Sequence, residues 1–205
     1  MVKIVFFVVA SLLPIALFGQ HRVLVYGQNL HINCETKPLQ FEYKNELNPE
    51  EIKQFSFIFI FSTVRSELSE NQLSALYDFV TNGGSLYVGA DNFPFVSECN
   101  QITNAFFGKS FWGNSSGDTA VVNENSCTNQ LFTRQQKIPS GKTIVTFPMD
   151  YRLKVEAWSA DEPLILSAKI GKGKLVLDGG YARFKNTIAE ENCLVLCEIL
   201  RFLTP

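Results

Sequence analysis

The chain has 205 residues, with 18 Lys and Arg against 20 Asp and Glu, a formal net charge of −2, and 46% hydrophobic residues. That length and hydrophobicity suffice for a real core. The charge balance, with no basic block and no interleaving of Arg with aromatics, excludes nucleic acid as a partner, and two early histidines among five cysteines give no zinc-ligand spacing.

Residues 1–19 read as a signal peptide, with Lys3 as the positive start, Ile4–Phe18 as the apolar core and Gly19 before Gln20. The core is short of the roughly 20 residues of a membrane span, no later segment is apolar for long enough, and no Cys follows it for lipid attachment. The expectation is one exported domain over residues 20–205, periplasmic or extracellular (lumenal in a eukaryotic secretory pathway), without a membrane span after cleavage. Export permits disulfides. Cys99 and Cys127, in the least regular part of the chain, are the candidate pair; Cys193 and Cys197, four apart on an apolar helix, read as small buried hydrophobes.

His21–Tyr26 is a first strand ending at Gly27-Gln28-Asn29, and Leu39–Tyr43 a shorter second one. Asn48-Pro49-Glu50-Glu51 has the order of a helix start: cap, proline at the first position, two acids in the first turn. Phe55–Phe61 is an apolar run suited to a strand buried on both faces. Ser69-Glu70-Asn71-Gln72 is a capping box, with Leu68 and Leu73 at staple positions. Leu73, Leu76, Tyr77 and Val80 then mark one helix face until Asn82-Gly83-Gly84 stops it. Ser85–Gly89 is the next strand, which makes a β-α-β unit with parallel strands.

After Asp91 the pattern loosens. Phe93–Asn100 reads as a loop, Ile102–Phe107 as a turn or two of helix, and Gly113–Asp118 as an exposed turn-rich stretch holding the sequon Asn114-Ser115-Ser116. Thr119–Val122, Thr143–Phe147, Val155–Trp158 and Leu164–Ile170 read as strands. Lys174–Leu177 returns antiparallel through Gly171-Lys172-Gly173, and Asp178-Gly179-Gly180 ends it. The last helix runs from about Ile188 to Leu203, with Thr187 and Glu190 as a second capping box. The sum is a three-layer α/β domain with a mostly parallel sheet and a late antiparallel hairpin.

The segments DFVTNGGSL and GKGKLVLDG, in this order and followed by EENCLVLCEILRFL, resemble the class I glutamine-amidotransferase-like superfamily, of flavodoxin-like fold. The match is closest to its non-catalytic branches, the domain of gliding-motility and intraflagellar-transport proteins and the exported domains near it; the chain also looks like a trehalose-utilisation-type branch and the lumenal domain of an oligosaccharyltransferase subunit. Those branches often carry asparagines around the last helix, where Asn186 and Asn192 stand as capping or turn residues. Catalytic members place a Cys on the turn after the strand equivalent to Ser85–Gly89, with a His from late in the chain. Here that turn is Gly89-Ala90-Asp91-Asn92, no His follows it, and Cys99 comes several residues late. The resemblance implies a scaffold without its Cys-His-Glu triad.

The remaining candidates are weak. Asp91 and Asp178 each end a strand, at the edge where open α/β sheets place ligands; together they could bind a cation or do acid–base work, and singly they cap turns. Gly171-Lys172-Gly173-Lys174 lacks the spacing of a phosphate loop and enters a strand. Gly27-Gln28-Asn29 lacks a Gly- or Ser/Thr-rich cradle for a nucleotide or flavin. Phe107, Phe111 and Trp112 could present an aromatic patch to a partner or sugar, or pack beneath a loop. No cofactor and no metal site is expected. The leading reading is an exported, non-catalytic binding or assembly module whose partner is an envelope protein or a small ligand; the alternative is a carbohydrate-active or metal-assisted hydrolase using Asp91 and Asp178.

Overall fold

In the computed structural model, residues 21–28, 30, 39–64, 67–123, 131–186 and 190–204 are described. Strands β1 (His21–Gly27) and β2 (Leu39–Lys44) are followed by helix α1 (Pro49–Ile52), β3 (Phe57–Phe61), α2 (Glu70–Thr81) and β4 (Ser85–Gly89). All their pairings are parallel: β1 with β2, β1 with β3, β3 with β4. Then come α3 (Ser97–Phe107), β5 (Trp112–Ser116), β6 (Thr119–Val122), β7 (Lys137–Pro139), β8 (Thr143–Thr146), β9 (Lys154–Ser159), β10 (Glu162–Ile170), β11 (Gly173–Asp178), a 3-10 helix (Tyr181–Asn186) and α4 (Glu190–Leu203). β11 pairs parallel with β4 and antiparallel with β10. The main sheet has the order β2-β1-β3-β4-β11-β10-β9-β6-β7, and β5 pairs with β8 apart from it. The predicted parallel sheet and late hairpin are both present, and the antiparallel part extends past the hairpin through β9, β6 and β7.

β3 shows why the sheet is covered on both sides. Ile58 and Ile60 join the core on the face of α1, α2 and α3, while Phe57, Phe59 and Phe61 join the core under α4 and the 3-10 helix. All five are fully buried, and full burial of such a side chain is worth about 1.5–3 kcal/mol. α2 starts at the predicted capping box: Ser69 Oγ accepts from Gln72 N, and Gln72 Oε1 accepts from Ser69 N. Its apolar face turns slightly from the predicted one, since Leu76, Phe79 and Val80 are buried whereas Tyr77 is exposed, its ring packed edge-on against Phe106.

Two predicted loops are regular. α3 runs from Ser97, because Cys99, Ile102, Thr103, Phe106 and Phe107 share one buried helical face; no side chain caps its start, so the boundary lacked a local signal. The stretch around Gly113 is strand β5, all of whose residues are exposed. On α4, Val195, Leu196, Ile199, Leu200 and Leu203 are buried against the sheet, while Leu194 faces out. Its end is clamped by Ser85 Oγ donating to Leu203 O (2.7 Å) and by Lys174 Nζ donating to Phe202 O and Thr204 O (2.8 and 2.7 Å). Residues 1–20, and with them the expected signal peptide, lie outside the described residues, as does Thr187 of the second expected capping box.

Candidate functional site

β4 and β11 are neighbours, with Gly89 opposite Asp178 and Ala90 N donating to Asp178 O (2.7 Å). This register delivers Asp178 and Asp91 to the same sheet edge, where their side chains meet different surroundings. Asp178 is fully buried. Its Oδ2 accepts from Tyr87 Oη (2.6 Å) and pairs with Arg183 Nη1, and its Oδ1 accepts from Gly180 N (2.9 Å). Burial, and then the Asp178 charge, push the Tyr87 phenol well above its ordinary range, so it remains a proton donor to that carboxylate.

A second enclosed group fills the turn after β4. Glu98, at the start of α3 and fully buried, accepts from Ser62 Oγ (2.9 Å), Thr63 N (2.8 Å) and Thr63 Oγ1. Cys99, the next residue, is a free thiol whose Sγ donates to Gly89 O (3.0 Å). Burial, then the Glu98 charge, raise this thiol well above its ordinary range. It is held as a neutral hydrogen-bond donor, the reverse of what an attacking thiolate requires. Tyr181 Oη closes the group by donating to Ser62 O (3.0 Å). Cys127, the expected disulfide partner of Cys99, lies outside the described residues.

Asp91 instead lines an open cleft of about 730 Å³ together with Asn92, Asp118, Lys142, Thr143, Arg183, Lys185 and Asn192. Its Oδ1 accepts from Asn92 N (2.8 Å), and Thr143 Oγ1 lies 3.3 Å from Asp91 Oδ1 and 2.9 Å from Asn92 Oδ1. Burial raises the Asp91 carboxyl above its ordinary value against the Asn92 amide, the Lys185 charge and the Thr143 hydroxyl, which lower it. Lys185 lies over the rings of Phe95 and Tyr181, at 5.0 and 5.5 Å from their centroids. Among the described residues, no three His, Cys, Asp or Glu side chains come together as a metal site.

The other sequence candidates have structural settings. A Cβ on Gly27 would stand 1.9 Å from Phe61 O, and Gln28 N donates to that same oxygen, so the turn after β1 is closed on β3; Asn29 lies outside the described residues. The Gly171–Lys174 turn packs on the end of α2, where Lys172 N donates to Thr81 O and a Cβ on Gly173 would stand 2.1 Å from Gly84 O. Phe107 and Phe111 are buried against Phe147, at 6.0 and 5.2 Å between centroids, and of the three aromatics only Trp112 is exposed (55%). Asn114 sits on exposed β5, Asn186 ends the 3-10 helix and Asn192 is buried on α4 at the cleft. Sequence reasoning missed Tyr87, Glu98, Ser62 and Arg183. The nearest hint was the acid followed by a possible thiol in Glu98-Cys99, which reads as loop without the structure.

No family model and no curated protein matches the chain. Solved structures do. It is similar to a cytoplasmic protein from Salmonella typhimurium LT2 (12% identity, 90% of this chain and 100% of that one, TM-score 0.68). It is also similar to a ThuA-like protein from Bacteroides uniformis (12% identity, 90% and 91%, TM-score 0.62), and to the mmIFT52 N-terminal domain (15% identity, 89% and 97%, TM-score 0.63). At these identities the likeness is one of fold. The chain therefore has the α/β fold of ThuA-like proteins, with the large sheet expected from the sequence.

Proposed function

We propose that this domain is a non-catalytic binding or assembly module of the cell envelope, built on an amidotransferase-like scaffold and exported by the segment at residues 1–19. The single observation that carries the reading is the sealing of the strand end. Both oxygens of Asp178 are engaged by Tyr87, Gly180 and Arg183. Cys99 is buried, with its thiol donating to Gly89 O. A hydrolytic nucleophile or a general acid–base pair must reach the substrate, and these groups face inward. The two-carboxylate hydrolase is not favoured, because Asp178 is fully buried and both its oxygens are hydrogen-bonded within the fold.

The open cleft beside that sealed end suits recognition, and the likeness to non-catalytic branches of the superfamily supports the same reading. Among the described residues no helix is long and apolar enough to cross a membrane. Two measurements test the proposal. Purified protein, assayed on amide, ester and glycoside model substrates, is expected to show no turnover above buffer; turnover that disappears in Asp91→Asn would overturn the non-catalytic reading. Crosslinked purification of the tagged protein from its native envelope fraction is expected to yield a stoichiometric protein partner, and recovery of the protein only from the cytosolic fraction would overturn the envelope role.

A further inference from the structure

The β10–β11 hairpin breaks a pairing rule. Lys169 stands directly opposite Lys174 in its antiparallel register, so both side chains leave the same face of the sheet. Like charges opposite each other destabilise a strand pair that opposite charges would support. Burial, and then the Lys169 charge, lower the Lys174 ammonium below its ordinary value. Lys174 has a structural task, since its Nζ donates to Phe202 O and Thr204 O at the end of α4. Lys169 has none: it is exposed, and its side chain makes no hydrogen bond or ion pair among the described residues. A local conflict of this kind is what a functional site leaves in a fold.

Both lysines line an open cleft of about 420 Å³, together with Tyr151, Arg152, Lys154 and Glu156. The other charges there are matched. Arg152 donates to both oxygens of Asp150 (2.8 and 2.7 Å), and Lys154 Nζ lies 3.4 Å from Glu156 Oε1. Lys169 and Lys174 are left without an acid among the described residues, and the carbonyl end of α4 offsets Lys174 only in part. An ammonium has three N–H groups, so Lys174 keeps one for a ligand after its two carbonyls. On the rim Tyr151 is 96% exposed, with the Arg152 guanidinium 5.7 Å from its ring centroid.

We infer that this cleft docks an acidic segment of a protein partner, with one Asp or Glu carboxylate bridging Lys169 and Lys174. The inference rests on the reading of the domain as a binding module and names the chemistry of the partner's contact. Charge complementarity selects an anion, and the shape of the site selects its carrier. A flat layer of lipid headgroups would meet the rim but not Lys174, which is half-buried against the end of α4. Two unmatched ammonium groups make no basic track for a nucleic acid. A free anion would make no use of the exposed Tyr151 ring, whereas the residue next to a bound acid lies across it.

The test is a titration of the ¹⁵N-labelled protein with hexaglutamate, hexaglutamine, inorganic phosphate and vesicles of anionic phospholipid, read at the backbone amides of Lys169, Lys174 and Tyr151. Hexaglutamate alone is expected to shift all three, and less so as salt rises. Lys169→Glu is expected to weaken hexaglutamate binding roughly tenfold and, by placing an acid opposite Lys174, to raise the melting temperature. Loss of a residue that merely held the hairpin would lower it, so a lower melting temperature overturns the inference. Equal shifts with hexaglutamine, equal shifts with phosphate, or a response to vesicles alone would each overturn it too, the last two in favour of a free-anion site and a membrane surface. So would the absence of any response at millimolar concentration. The envelope purification separates this inference from the binding-module reading. A partner captured by the wild type and lost with Lys169→Glu supports both, and one captured equally by the variant overturns the inference alone. No partner with either protein overturns the reading on which it rests.

Discussion

Asp178 and Asp91 leave adjacent strands at one sheet edge and meet opposite environments. Asp178 is enclosed by a phenol, a guanidinium and a backbone amide, whereas Asp91 keeps one wall of an open cleft. The first carboxylate is an internal strut and the second borders an open cleft. The difference shows how a strand edge suited to chemistry can be given over to holding the fold, while the cleft next to it stays available.

The sharpest way to break the comparison is at Arg183. Arg183→Met leaves the Asp178 charge buried without its counter-ion, which costs about 3–5 kcal/mol. Urea unfolding of this variant against the wild type checks it, and Asp178→Asn/Arg183→Met should recover much of the loss because no lone charge is left behind. A loss below about 1 kcal/mol for the single variant would mean that the pair is not what seals this end.

The neighbouring strut is expected to be weaker. Glu98→Ala removes the acceptor of Ser62 Oγ, Thr63 N and Thr63 Oγ1 at once, with an expected cost of about 2–3 kcal/mol in the same unfolding assay. Below it comes the clamp on α4. Lys174→Ala strips two carbonyls, those of Phe202 and Thr204, of their donor, and should cost about 1 kcal/mol, seen first as faster amide exchange over the last turn of the helix.

What the sequence could say about these regions follows from the range of the interactions. The capping box of α2 joins Ser69 to Gln72, three residues apart, and was legible. So were the continuous apolar run of β3 and the positions of Asp91 and Asp178 at strand ends. The partners of Asp178 were not, since Tyr87 is 91 residues away and its phenol reads as one more strand aromatic until the register of β4 on β11 is known. Arg183 is only five residues from Asp178, yet the sharp turn at Gly179-Gly180 that folds it back carries no periodic signal. α3 was half legible: its apolar face begins at Cys99 but its first turn holds buried, polar Glu98 and no cap. β5 was hidden because an exposed strand has no hydrophobic alternation to show.

The smallest effect is the pH dependence that Asp91 sets. Burial holds the Asp91 carboxyl above its ordinary value of 3.8. A group shifted upward in the folded state favours folding below its unfolded value, and that contribution is lost as pH rises through the folded value. Asp91→Asn removes the titration, so the variant should gain stability relative to wild type between about pH 4 and neutrality, read from melting temperatures across that window. Asp150 supplies the opposite sign as a control: hydrogen bonds from Arg152 hold it below the carboxylate range, so its contribution is present above the unfolded value and fades as pH falls toward the folded one. Asp150→Asn should therefore cost most at neutral pH and least in acid. If Asp91→Asn followed the Asp150 pattern, Asp91 would be a paired carboxylate and not the cleft-wall acid raised by burial that its setting implies.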